Sequence, residues 1–200
     1  TNLAWAAYTG TDSAGTPGAR NSSYQDLLVE GFEDATFPSS GWQAISNNTS
    51  NSVSRYGATS SYSHSGSYSV QFSSYSYASD YTQYLISPKL SVVSGDSLAL
   101  WAYKYSSFSG ADEDIAIGVS TTDSLPASFT FGSLLGISNT WTRYAQDLSS
   151  YAGQSVFVAI KYTGSYDYYV FVDDITGPAI VYPSTPAASL SSSSLALGKV

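Results

Sequence analysis

Between Leu27 and Tyr182 the chain alternates apolar and polar positions with a period of two. In "SLALWAYKYSS" (Ser97 to Ser107), Leu98, Leu100 and Ala102 fall on one side and Trp101, Tyr103 and Tyr105 on the other. "EDIAIGVST" puts Ile115, Ile117 and Val119 on a single face, and "SVFVAIKYTG" and "YYVFVDDI" repeat the pattern. Such alternation is the mark of half-buried strands. "LLVEGF", "GSYSVQFSS", "TQYLISP" and "WTRYAQDL" are further short candidates, each bounded by turn-forming residues. The pattern predicts eight or nine strands and no convincing helix. That describes an all-β, antiparallel β-sandwich, with an irregular β-barrel as the alternative; no period of 20 to 50 residues marks a repeat architecture.

Outside this stretch the texture changes. Residues 1–26 include the Gly, Ser, Thr and Pro tract "TGTDSAGTPGARNSS", and 183–200 begin as a Pro and Ser linker that turns apolar at Leu195. Neither can bury much surface. The expected organisation is an N-terminal tail from a preceding module, one domain over 27–182, and a linker opening a following module. Two hundred residues, 42% of them hydrophobic, suffice for one sizeable core.

Charge narrows the partners. The formal charge is −8 with 7 Lys plus Arg, so no basic stripe exists to neutralise phosphates. Nucleic acid, anionic membrane surfaces and polyanionic glycans are therefore poor partners. No apolar run reaches the roughly 18 residues of a membrane helix, which argues against membrane insertion. The chain has no cysteine, hence neither disulfides nor thiolate metal sites.

Two acidic pairs stand out among only 15 acids: Glu33 and Asp34 in "GFEDATFPSSGW", and Asp173 and Asp174 in "YYVFVDDITG". They read as the two halves of one metal site. A hard dication takes six to eight oxygens, which loop carbonyls and carboxylates supply without His or Cys. Strand parity separates Asp173 from Asp174 without saying which points inward.

The 18 Tyr, 4 Trp and 8 Phe exceed what such a core needs, and thirty residues from Arg55 to Tyr84 interleave Tyr with Ser. Pyranose faces stack on aromatic rings while hydroxyls meet Ser, Asn and Asp, so a contact surface for sugar or protein is expected. The candidates are the row Trp101, Tyr103 and Tyr105 and the loop-edge rings Tyr75, Tyr77, Tyr166 and Tyr168. The row is either a ligand platform or packed beneath the Tyr and Ser rich segment. Catalysis has little to work with. The single histidine, His64, reads as a surface-loop residue, the acids at Asp112 to Asp114 read as a solvated turn, and three arginines (Arg20, Arg55, Arg143) make a poor lyase site.

Taken in order, "VEGFEDATFPSSGW", "SHSGSYSV", "YLISPKLSVVSGDSLALWAYKY", "IAIGVSTT", "WTRYAQDLSSYAGQSVFVAIKYTG" and "YYVFVDDITG" resemble the cleaved-adhesin, or choice-of-anchor J, domains of Bacteroidetes surface proteins. That group includes the gingipain hemagglutinin/adhesin domains, and is similar in outline to MAM domains and jelly-roll carbohydrate-binding modules. The resemblance implies a jelly roll that is no enzyme but an adhesive or carbohydrate-binding part of a secreted or cell-surface multidomain protein. Its partners would be a glycan or host surface protein together with flanking domains of the same chain; a structural spacer is the alternative. It also implies a structural calcium ion held by Glu33 and by Asp173 or Asp174 with backbone carbonyls. The loop after "GW" carries no acid here, which removes the basis for a second calcium site.

Overall fold

The computed structural model describes residues 26–57, 62–75, 80–105 and 114–182. The tails, Tyr77, Asp112 and Glu113 lie outside the described residues. Gln25–Tyr182 forms a compact unit by itself.

Thirteen strands, all paired antiparallel, occur among the described residues, more than the eight or nine expected because short edge segments also pair. In chain order they are β1 (Leu27–Glu30), β2 (Gln43–Ser46), β3 (Ser54–Gly57), β4 (Tyr68–Ser73), β5 (Tyr81–Ile86), β6 (Leu90–Ser91) and β7 (Ser97–Tyr105). Then follow β8 (Asp114–Ser120), β9 (Thr130–Phe131), β10 (Leu135–Gly136), β11 (Thr142–Asp147), β12 (Ser155–Gly164) and β13 (Tyr169–Ile180). One sheet runs β3-β4-β13-β7-β11, with β1 on the second half of β13. The other runs β2-β5-β12-β8, with β9 and β10 on the outer edge of β8. The short β6 pairs with both β12 and β13, joining the sheets at a corner. This is a curled antiparallel sandwich.

Alternation decides what lies between the sheets. Leu98, Leu100 and Ala102 of β7 meet Val70 and Phe72 of β4, Val170 and Val172 of β13, and Ile117, Val158, Ile160 and Leu85 from the other sheet in one core. Each Leu, Ile, Val or Phe among them contributes about 1.5–3 kcal/mol by leaving water. The aliphatic side of β7 is thus the core side, which turns Trp101, Tyr103 and Tyr105 outward. Gln83 is the polar exception inside. Its Oε1 accepts from Ser73 N at 3.0 Å, and its Nε2 donates to the carbonyls of Ser73 and Asn51, each at 2.8 Å. A fully buried amide with every bond made ties the end of β4 to β5.

The two outer faces are finished differently. On the second sheet, Phe129 and Phe131 fold back over Ile86 and Ala159, with Tyr84 and Phe157 beside them. Gly118 makes this possible, since a Cβ there would stand 2.6 Å from the Phe131 ring. On the first sheet, among the described residues, the segment Tyr62–Ser67, leading into β4, lies across the outward aromatics. Beyond that segment, described residues of this face line a groove.

Candidate functional site

The outward row of the first sheet follows from register. Tyr103 pairs with Phe171, Tyr105 with Tyr169, and Trp101 with Asp173, so these six side chains share one face. The covering segment follows the same spacing. Tyr62 stacks on Phe171 (centroids 4.9 Å, 28°) and approaches Tyr103 at 6.4 Å, and two residues later His64 stacks on Trp101 at 3.9 Å and 14°. Trp141 closes on His64 and Tyr103 from the side. Trp101 and Tyr103 are therefore packed beneath the Tyr and Ser rich segment, one of the two expected arrangements, and do not form the open platform.

What holds the segment down is the set of acids. Asp173, fully buried, accepts at Oδ2 from the backbone N–H of His64 (2.7 Å) and of Ser65 (3.2 Å), and at Oδ1 from Asp174 N (2.7 Å). Asp174 Oδ2 lies 2.6 Å from His64 Nδ1, and its Oδ1 accepts from the Ser65 hydroxyl at 2.8 Å. Glu33 Oε1 accepts from the N–H groups of Ser67 and Tyr68, both at 2.9 Å. Arg55 completes the arrangement. Its Nε and Nη2 donate to the carbonyls of Phe32 (2.7 Å) and Glu33 (3.0 Å), and its guanidinium lies 3.3 Å from the centre of the Tyr68 ring.

Two sequence readings need correction here. His64 is not a free surface-loop histidine: a carboxylate holds its ring and an indole covers it. Nor does strand parity separate Asp173 from Asp174. Register slips by one residue between Asp173 and Thr176, Asp174 takes φ 45°, and Val172 and Ile175 both reach the core, so both acids end up on the outward side. A β-bulge with a left-handed residue re-aims a side chain in this way, and Asp tolerates that conformation better than most. Gly66, at φ 60°, is required for the same clasp; a Cβ there would meet Glu33 Oε1 at 2.3 Å.

Burial pushes the Asp173 carboxyl up to about 6, three backbone N–H donors pull the other way, and the charge of Asp174 adds to the rise. Asp174 follows it in the chain and Glu33 bonds the far end of the same segment; carboxylates are in kind the donors a hard dication takes. In position the carboxylates are spent on the covering segment. Among the described residues no three His, Asp or Glu side chains are gathered as metal ligands.

Beyond the clasp the aromatic face opens into a groove of about 390 Å³. Its strand residues are Gln71, Tyr105, Tyr169 and Phe171, with Tyr56 on the edge strand. Loops add Tyr62, Tyr75 and Tyr168. Tyr166, in a left-handed turn, stacks at 14° beside Tyr75, and both are nearly half exposed. Burial, then the neighbouring phenols, raise the pKa of Tyr103 and of Tyr169, keeping them neutral donors. Of the loop-edge rings singled out in the sequence, Tyr75 and Tyr168 line this groove, and Tyr105 is its one member from the outward row. Tyr56, Tyr62, Tyr169 and Phe171 were not singled out; for Tyr169 and Phe171 the signal was outward parity on β13, the neighbour of β7, legible only once register is known, while Tyr56 on β3 and Tyr62 in a loop carried no such signal.

No family model and no curated protein matches the sequence. Solved structures do. The K1 cleaved adhesin domain of Lys-gingipain from Porphyromonas gingivalis W83 superposes with TM-score 0.65 at 20% identity, over 77% of this chain and 98% of that one. The K3 domain of the same protein gives 0.58 and 22%, over 76% and 98%. TmCBM61, solved with β-1,4-galactotriose, gives 0.56 and 17%, over 75% and 94%. The chain thus has the β-sandwich fold that gingipain cleaved adhesin domains share with TmCBM61, in agreement with the resemblance carried by the six sequence segments.

Proposed function

We propose that this domain is a non-catalytic carbohydrate-binding or adhesive module of a secreted or cell-surface protein, and that the tyrosine groove is its contact site. The observation that carries this reading is the groove itself. Sugar rings need flat apolar faces with polar edges, and phenols offer both at low cost in side-chain entropy. A volume of about 390 Å³ falls at the small end of ligand clefts, roughly 300–1,000 Å³, which suits a short glycan or a chain end. Among the described residues no Lys, Arg, Asp or Glu lines it, so an uncharged glycan fits better than an anionic one. The domain's neighbours in fold, adhesin domains and a galactotriose-bound module, support the reading.

Calcium belongs to the same proposal. The ion would sit with Glu33 and with Asp173 or Asp174, and it would supply the positive charge these carboxylates lack, closing β1 onto β13 in a chain with no disulfide. Its role would be structural.

The test is a glycan array that includes neutral and acidic oligosaccharides, β-1,4-galactotriose among them, run with and without calcium. Binding of a neutral glycan that falls at least tenfold in both Tyr75→Ala and Tyr168→Ala, with normal melting, is the expected result. Binding unaffected by both changes, or no hit at all, would sink the groove reading and favour a structural spacer.

A further inference from the structure

One residue belongs to both halves of the site. Tyr62 walls the groove, stacked on Phe171 and edge-on to Tyr56 and Tyr105. Two residues along the chain, His64 is gripped by Asp173 at its backbone N–H and by Asp174 at its ring. None of the three acids touches the groove.

We infer that Asp173 and Asp174, acting through His64, are positioning residues for Tyr62, so that the acid clasp sets the shape and the affinity of the tyrosine groove. This rests on the glycan-binding reading for its consequence, though not for its mechanics. Register supplies the lever. Tyr62 covers the Tyr103–Phe171 pair and His64 covers the Trp101–Asp173 pair, one step further along the same two strands. A segment laid along a sheet at strand spacing has little freedom once one residue is fixed in two directions. His64 is so fixed: its backbone is bonded to a buried carboxylate, and its ring is bonded on one edge and stacked at 3.9 Å on a half-buried indole. The further tie on Tyr62 among the described residues is lighter, a hydrogen bond from the Ser69 hydroxyl to the Tyr62 carbonyl. Among the described residues its ring packs on aromatic partners, whose contacts are each worth about 0.5–1.5 kcal/mol and allow alternative tilts. Release at His64 therefore frees Tyr62 while leaving the sheet beneath it intact.

The experiment reads Tyr62 directly. Nitration by tetranitromethane, followed residue by residue with peptide mass spectrometry, reports how open each phenol is; Tyr151, outside both clasp and groove, serves as the internal control. His64→Ala removes the ring contacts without disturbing the left-handed residue 174, and Asp174→Asn removes the charge while keeping a side chain that tolerates that backbone. Both variants are expected to nitrate Tyr62 at least threefold faster than wild type, with Tyr151 unchanged and the melting temperature within a few degrees. His64→Asn, which can still donate to Asp174, should restore much of the protection, and it carries the comparison if His64→Ala melts early. In parallel, affinity for β-1,4-galactotriose or for the neutral array glycan bound best by wild type should fall several-fold with the nitration change. Unaltered Tyr62 nitration in well-folded His64→Ala and Asp174→Asn overturns the inference. Altered nitration without any glycan binding by wild type leaves the positioning intact and refutes the glycan reading instead.

Discussion

Asp173→Asn is the change that interrogates the clasp most directly, because it removes a buried charge and almost nothing else. The folded carboxyl titrates near 6, whereas an unfolded aspartate titrates near 3.9. The folded state thus binds the proton more tightly. Whatever stability this group contributes is fully present below about pH 4 and is lost as pH rises through about 6. Integrated over that window, the wild type gains about 1 kcal/mol between pH 7 and pH 5 and about 2 kcal/mol by pH 4, relative to a variant with no titrating group at this position. The physical source is desolvation. Three backbone N–H bonds favour the anion, yet they do not offset the loss of water around a carboxylate with no exposed surface and a second carboxylate next to it. The assay is urea denaturation of wild type and Asp173→Asn in EDTA at pH 7, 5 and 4, comparing differences between the two proteins so that other titrations cancel. The difference should move in favour of wild type as pH falls. Parallel pH dependence would refute the desolvation argument, and movement in the opposite direction would show that the N–H bonds dominate.

Two further outcomes follow from the same structure. If calcium binds at a hundredfold excess over Kd, it adds about 2.7 kcal/mol, which for a domain of this size is a melting shift of about 5–10 °C; EDTA should abolish that shift, and Glu33→Ala should remove the response to both. A melting temperature indifferent to chelator would dispose of the ion. Gln83→Leu should cost about 2–4 kcal/mol by equilibrium denaturation, since Ser73 N and the carbonyls of Ser73 and Asn51 lose their partner; a change of less than 1 kcal/mol would mean that water enters and replaces the amide.

Much of this protein is local in the sequence. Period-two alternation in Leu98–Tyr105, Ile115–Val119 and Val156–Tyr162 marks which side chains face the core, because successive residues of a strand must point to opposite sides. The same rule turned Trp101, Tyr103 and Tyr105 outward before any partner strand was known. The acids of "GFED" and "VDD" were visible as a pair of pairs. Parity failed where the backbone departs from strand geometry: one inserted residue at Asp174 puts two neighbouring acids on the same side, and no periodic reading registers a bulge. His64 read as unremarkable because its partners lie 109 and 110 positions away. The groove was hidden for a related reason. Its tyrosines come from three strands and three loops that only antiparallel pairing sets side by side. Which of them are covered depends on where the Tyr62–Ser67 segment lies, and long-range hydrogen bonds to buried and exposed carboxylates determine that, whereas propensity belongs to the segment alone.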